Sequence, residues 1–195
     1  YDGAKWIVVR RPHKQVHFSL DNLVFRPEEL IDKAYELYKK YGKNQVIIYD
    51  EGRAGLDSAR SMEATNKAMQ DFFQECGFYG HVILIVLPNF FKLHEDYAVN
   101  RSLFLINAFA DRQLRRGHFS FYNEVQKEML FNLGKKQVGT IARYSAVRPS
   151  WYGRFTRFSP LDKKEYESAK AAALNMKKAE RVEVKWKKQR DSIIF

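Results

Sequence analysis

The sequence predicts an α/β fold: a three-layer core around a mainly parallel sheet, followed by a small C-terminal β and helical appendage. Three observations lead there. Val46–Tyr49, His81–Leu87 and Leu103–Phe109 are short apolar runs without the alternation expected of a sheet that has one wet face. Segments of helical period separate them, and strands that alternate with helices form parallel βαβ units. Finally, 195 residues with 45% hydrophobic and 15% aromatic content suffice for one packed core. The expected division is a core over residues 1–123 and a basic extension over 124–195.

Taken in order, Ala4 to Val9 is apolar and reads as a helix ahead of the basic stretch Arg10 to Lys14. Asn22 to Phe25 is a short apolar run. Pro27 then suits the first position of a helix, Glu28 and Glu29 its positive end, and Gly42 its stop. Between them Leu30, Ile31, Ala34, Leu37, Tyr38 and Tyr41 recur at helical spacing. Val46–Tyr49 is the first buried strand, closed by Asp50-Glu51, and Gly52 to Arg60 is a polar loop. The next helix carries Met62, Met69, Phe72, Phe73 and Cys76 on one face and stops at Gly77. The strand His81–Leu87 ends in Pro88-Asn89, and a short helix over Leu93 to Val99 leads to the strand Leu103–Phe109. Arg112 to Gly117 is a basic turn, His118 to Tyr122 an edge strand with Phe119 and Phe121 on one face, and Val125 to Leu133 a short helix. Trp151 to Phe158 reads either as an ordinary edge strand, with Tyr152 and Phe155 filling a small core, or as part of a nucleic-acid contact segment. The tail from Leu161, rich in Lys, Ala and Glu, reads as an exposed helix.

The formal net charge of +11 favours an anionic partner, nucleic acid or nucleotide. One cysteine, Cys76, excludes an internal disulfide and fits a reducing, cytoplasmic setting. The longest apolar run, Val82 to Leu87, is far short of a membrane span, and Arg10, Arg11 and His13 interrupt any signal-peptide core. His13, His17, His81, His94 and His118 are scattered, with no carboxylate or Cys placed to complete a zinc site.

The constellation that carries chemistry is Val46-Ile47-Ile48-Tyr49-Asp50-Glu51, the Walker B pattern. A strand holds the first carboxylate rigidly at its end as a Mg²⁺ ligand, and the second orients or deprotonates an attacking water. A solvated strand end before a turn produces the same letters, so context decides. The next strand ends in Asn89, a polar tip of the kind that senses a γ-phosphate, and ligands of open α/β sheets lie at the carboxyl ends of the strands.

From Asn22 to Ala110 the chain resembles P-loop NTPases of the ASCE class, in particular the Zot/FtsK/HerA-like ATPases of mobile elements. The matching stretches are Leu23-Val24-Phe25 with Pro27-Glu28-Glu29, Val46 to Gly52, Asp57-Ser58-Ala59-Arg60, Asn66-Lys67, Leu87 to Phe91, and Arg101-Ser102. The resemblance implies ATP and Mg²⁺ as cofactors, hydrolysis of ATP, action on DNA rather than RNA, and a ring-shaped homo-oligomer. It implies Asp50 as metal and nucleotide ligand, Glu51 as the base, Asn89 as the sensor and Arg101 as the arginine finger, ahead of Arg53 and Arg60. The sequence departs from the family in one respect: no G-x-x-x-x-G-K-[ST] phosphate loop occurs, and Gly42-Lys43 and Gly134-Lys135 are followed by Asn44 and Lys136. The expected place for that loop is between Gly3 and Ala4 or upstream of Tyr1; otherwise the chain is a degenerate, non-catalytic relative serving as a nucleic-acid-binding or assembly scaffold.

Lys135 to Pro160 contains no acidic residue and interleaves Arg143, Arg148, Arg154 and Arg157 with Tyr144, Trp151, Tyr152, Phe155 and Phe158. Cations neutralise phosphates while rings stack on bases, so Arg143, Arg148, Trp151, Arg154 and Arg157 are the candidate nucleic-acid contacts. A nuclease built on the same carboxylates needs a further acid, for which the strand Leu103–Phe109 offers only Asp111.

Overall fold

The computed structural model describes residues 18–50, 64–136, 144–155, 159, 161–176 and 179. The expected N-terminal helix, the loop to Arg60, Met62 and the basic residues Arg143 and Arg157 lie outside them.

The chain is mixed α/β, with two three-stranded sheets in place of one mainly parallel sheet. The first is parallel, in the order β1 (Leu23–Val24), β2 (Val46–Tyr49) and β3 (Val82–Ile85). Helix α1 (Pro27–Tyr41) joins β1 to β2, with Pro27 at its start and acidic residues in its first turn. Lys39 and Lys40 lie in its last turn, where cations complement the helix dipole. At Gly42 φ is 80°, a conformation that costs glycine little, and its N–H closes the helix on the Tyr38 carbonyl at 2.8 Å. Leu30, Ala34 and Leu37 recur at a spacing that puts them on one face, and they are buried with Ile47 and Tyr49 of β2. Helix α2 (Ala64–Glu75) adds Met69 and Phe72 to the same core.

Polar groups fix the register. Asn22 is fully buried, and its amide donates to the Val46 carbonyl at 2.8 Å, tying the entry of β1 to the start of β2. His81 accepts the Gln45 N–H on Nδ1 at 3.0 Å and donates Nε2–H to the Ala34 carbonyl at 3.0 Å, joining β2, β3 and α1. These two bonds require one neutral tautomer, and burial pushes the ring's pKa down.

The third apolar run does not join this sheet. β4 (Leu105–Phe109) pairs antiparallel with β5 (His118–Tyr122), which pairs antiparallel with β6 (Trp151–Arg154). The expectation of three parallel strands is thus corrected. The turn after Phe109 sends the chain straight back, so β4 finds its partner antiparallel in β5. Asp111 organises that turn: Oδ1 accepts the N–H groups of Gln113 and Arg115, and Oδ2 holds the Arg115 guanidinium at 2.7 Å. This carboxylate is committed to a turn. β5 is accordingly the central strand and not an edge.

The short helix expected over Leu93 to Val99 is a 3₁₀ turn, Phe90–Lys92, followed by one π-helical turn, Asp96–Arg101. Helix α3 (Glu124–Lys136) closes over both, with Phe131 in the main core. Its Lys127 is fully buried and donates to the Val99 and Ser102 carbonyls at the end of the π turn. The sheet and the core therefore both continue across residue 124.

The second parallel strand expected to be buried on both faces is open on one. Ile83 and Ile85 pack on the core, whereas Val82, Leu84 and Val86 are exposed. Among the described residues, no helix is long and apolar enough to cross a membrane.

Candidate functional site

Asp50 follows β2 directly, so the rigidity of the central parallel strand carries over to its carboxylate. Its N–H donates to the Val24 carbonyl of β1 at 2.9 Å, and the strand continues on its other side through Val86 N–H to the Tyr49 carbonyl at 2.9 Å. The side chain is buried at 8% exposure. A carboxylate in such a place must be satisfied by donors or a cation.

Both are supplied by a helix far along the chain. Residues 163–176 form α4, whose N-terminus is capped by Asp162 through the N–H groups of Lys164 and Glu165. Tyr166 and Lys170, one turn apart, share a face. The Tyr166 hydroxyl donates to Asp50 Oδ2 at 2.6 Å, and Lys170 Nζ donates to the same oxygen at 2.9 Å. The Tyr166 ring also lies 6.4 Å from that of Phe25. The Asp50 bond holds the Lys170 ammonium well above the usual lysine range. Burial first, then the Asp50 contact, pushes the Tyr166 phenol up as well. The tail helix is largely exposed, as expected, but its Tyr166 and Lys170 face clasps the end of β2.

The Lys170 ammonium, 2.9 Å from the buried Asp50 carboxylate, neutralises its charge. The donor is a hard oxygen of the kind Mg²⁺ takes, usually from one or two carboxylates completed by water and phosphate. Among the described residues, no group of three or more His, Cys, Asp or Glu side chains converges. A divalent ion held at Asp50 would have to take its remaining ligands from water or phosphate oxygens.

The other expected residues fall in three places. Glu51 lies outside the described residues. Asn89 follows β3 at the same end of the sheet; its Oδ1 accepts the Phe91 N–H at 2.9 Å and so caps a 3₁₀ turn. Arg101 closes the π turn, where its guanidinium meets Asp96 at 3.3 Å and donates to the Phe73 carbonyl of α2 at 3.1 Å. Those contacts serve to join the turn to α2.

Of the basic segment, Arg148, Trp151 and Arg154 are exposed, around and within β6. Register separates the last two. Trp151 is opposite Phe121 and lies on one face of the antiparallel sheet; Arg154 is opposite His118 and lies on the other.

Sequence reasoning missed Tyr166 and Lys170. Their one available signal was the i, i+4 spacing behind the capping Asp162, which places them together without naming the surface they meet. Comparison with protein-family models, curated proteins and solved structures finds no match to this chain.

Proposed function

We propose that the chain is part of a Mg²⁺-dependent ATPase of P-loop type that acts on DNA. The observation carrying this reading is the buried Asp50 carboxylate at the carboxyl end of the middle strand of a parallel sheet, already holding a cation. Asp50 would hold Mg²⁺, which supplies charge neutralisation to nucleotide phosphates when bound. Glu51, next in sequence, accepts a proton from the attacking water, and Asn89 at the neighbouring strand end reads the γ-phosphate. A third layer, completing the core, would lie on the open face that carries Val82 and Leu84. Arg101 as finger and a ring of subunits belong to the same reading.

Lys170 has a defined part in it. Its ammonium neutralises Asp50 and would give way to a divalent ion held there. The same clasp also favours a second reading, a non-catalytic scaffold of the same fold, in which the Asp50–Lys170–Tyr166 group is permanent and only binds α4 to the sheet.

Two substitutions in the full-length protein distinguish them. Glu51→Gln keeps shape but removes the base, so ATP binding persists while turnover falls about 100-fold or more. Asp50→Ala removes the metal ligand and weakens Mg²⁺-nucleotide binding itself. Turnover at the parent rate in Glu51→Gln contradicts the catalytic assignment; a full-length protein that binds no nucleotide leaves the scaffold.

A further inference from the structure

The antiparallel sheet has two unlike faces. Leu105, Ser120 and Tyr122 point inward, and Ser120 and Tyr122 are buried beneath α3. Ile106, Ala108, Phe119, Phe121, Trp151 and Gly153 are set on the opposite face by the pairings Ile106↔Phe121, Ala108↔Phe119, Phe119↔Gly153 and Phe121↔Trp151. Phe104 and Phe155 extend that face at its two ends.

On it five rings form an unbroken row. Phe104 meets Phe121 at a centroid distance of 5.4 Å, Phe121 stacks on Trp151 at 5.2 Å, Trp151 meets Phe119 edge-on at 5.2 Å, and Phe119 meets Phe155 at 4.5 Å. Gly153 is what lets the row close. A Cβ there would stand 2.5 Å from the Phe119 ring, so any larger residue would lift that ring off the sheet. The row faces solvent: Trp151 is 49% exposed, Phe155 53% and Phe104 38%.

Its rim is cationic. Phe155 N–H donates to the Gly117 carbonyl at 2.7 Å, which seats that end of the row beside the turn carrying the exposed Arg112 and Arg116. Exposed Arg148 lies three residues before Trp151, and no acidic residue occurs between Lys135 and Pro160.

From this surface we infer that the outer face of β4–β5–β6 is a stacking platform for single-stranded nucleic acid. The inference deepens the nucleic-acid part of the proposed function and is independent of ATP hydrolysis. Unpaired bases offer a π-face to each ring regardless of sequence, while the arginines neutralise the backbone. Bases of a duplex are stacked on one another and cannot reach the rings, so the platform prefers single strands.

The test is fluorescence anisotropy of a labelled oligo(dT) of about 15 nucleotides and of a duplex of equal length, across a salt series. The exposed positions can be changed without opening the core; Trp151→Leu and Phe155→Leu, checked for unchanged thermal midpoint, keep an apolar side chain and remove the ring. Each lowers oligo(dT) affinity about tenfold, leaves the salt slope unchanged and hardly alters duplex binding. Tyr152→Leu, the neighbour on the opposite face and more exposed, is the control and changes affinity less than about twofold. Equal effects of Trp151→Leu and Tyr152→Leu, or duplex bound as tightly as oligo(dT), overturn the platform while leaving a DNA-binding protein. No binding to either form overturns both readings. Concentration-dependent self-association that Trp151→Leu abolishes, with oligo(dT) affinity unaltered, identifies the row as a contact between copies and also overturns the platform.

Discussion

The parallel and antiparallel sheets are built from strands of similar apolar content, yet they spend it in opposite ways. In the parallel sheet, Ile47 and Tyr49 are fully buried beneath α1 and α2, and the interesting chemistry is a single polar group at a strand end. The antiparallel sheet buries only its Ser120 and Tyr122 face and leaves a row of rings in water. One sheet is a scaffold that positions a carboxylate; the other is itself a surface. An apolar strand therefore reveals that it pairs, but not which of its faces will be covered.

The largest effect that sharpens this contrast is on stability. Ile47→Ala, in the covered face, should cost about 2–5 kcal/mol, the range for truncating a buried aliphatic side chain. Ile106→Ala, 43% exposed on the outer face of the second sheet, should cost less than about 1 kcal/mol. Denaturant midpoints at constant slope measure both. Equal costs would mean that the outer face is packed in solution and would erase the contrast.

A smaller effect comes from the histidine that ties β2 to β3. Folding lowers the His81 pKa below its ordinary 6.5, so between the folded value and 6.5 the unfolded chain binds more protons. The stability that His81 contributes is complete above pH 6.5 and is lost as the pH falls toward the folded value. Thermal midpoints between pH 7.5 and 5 should decline for this reason, and less steeply in His81→Asn. An identical decline in both proteins would assign the effect to other groups.

Much of the first sheet was legible in the sequence because local chemistry dictates it. Pro27, the Glu28–Glu29 pair and Gly42 bracket α1, and continuous runs mark β2 and β3. Asp50 could be named because its place at a strand end follows from the run before it. The second sheet was legible only as separate strands: the run at β4 matches a parallel strand until Asp111 folds the turn behind it, and that is a matter of side-chain geometry. The ring row depends on contacts that join residues up to 36 positions apart, Phe119 to Phe155, and nothing local encodes it. The clasp on Asp50 spans 116 and 120 positions, again with only a helical spacing to announce it.

The central claim is that Asp50 is a cation-binding carboxylate whose ammonium partner yields to a metal-bound nucleotide. The Asp50 contact raises Lys170 above its usual value, so its ammonium stays charged across the neutral range. Calorimetric titration of the full-length protein with Mg²⁺-ATP, and with ATP in chelator, therefore tests the claim at pH 7.5 without a change in protonation of the lysine. Lys170→Met should bind Mg²⁺-ATP several-fold more tightly than the parent, since a competing cation is gone, and bind metal-free ATP no better. Unchanged or weaker Mg²⁺-dependent binding in Lys170→Met, or none in either protein, would contradict the claim and leave the clasp a structural bond between α4 and the sheet.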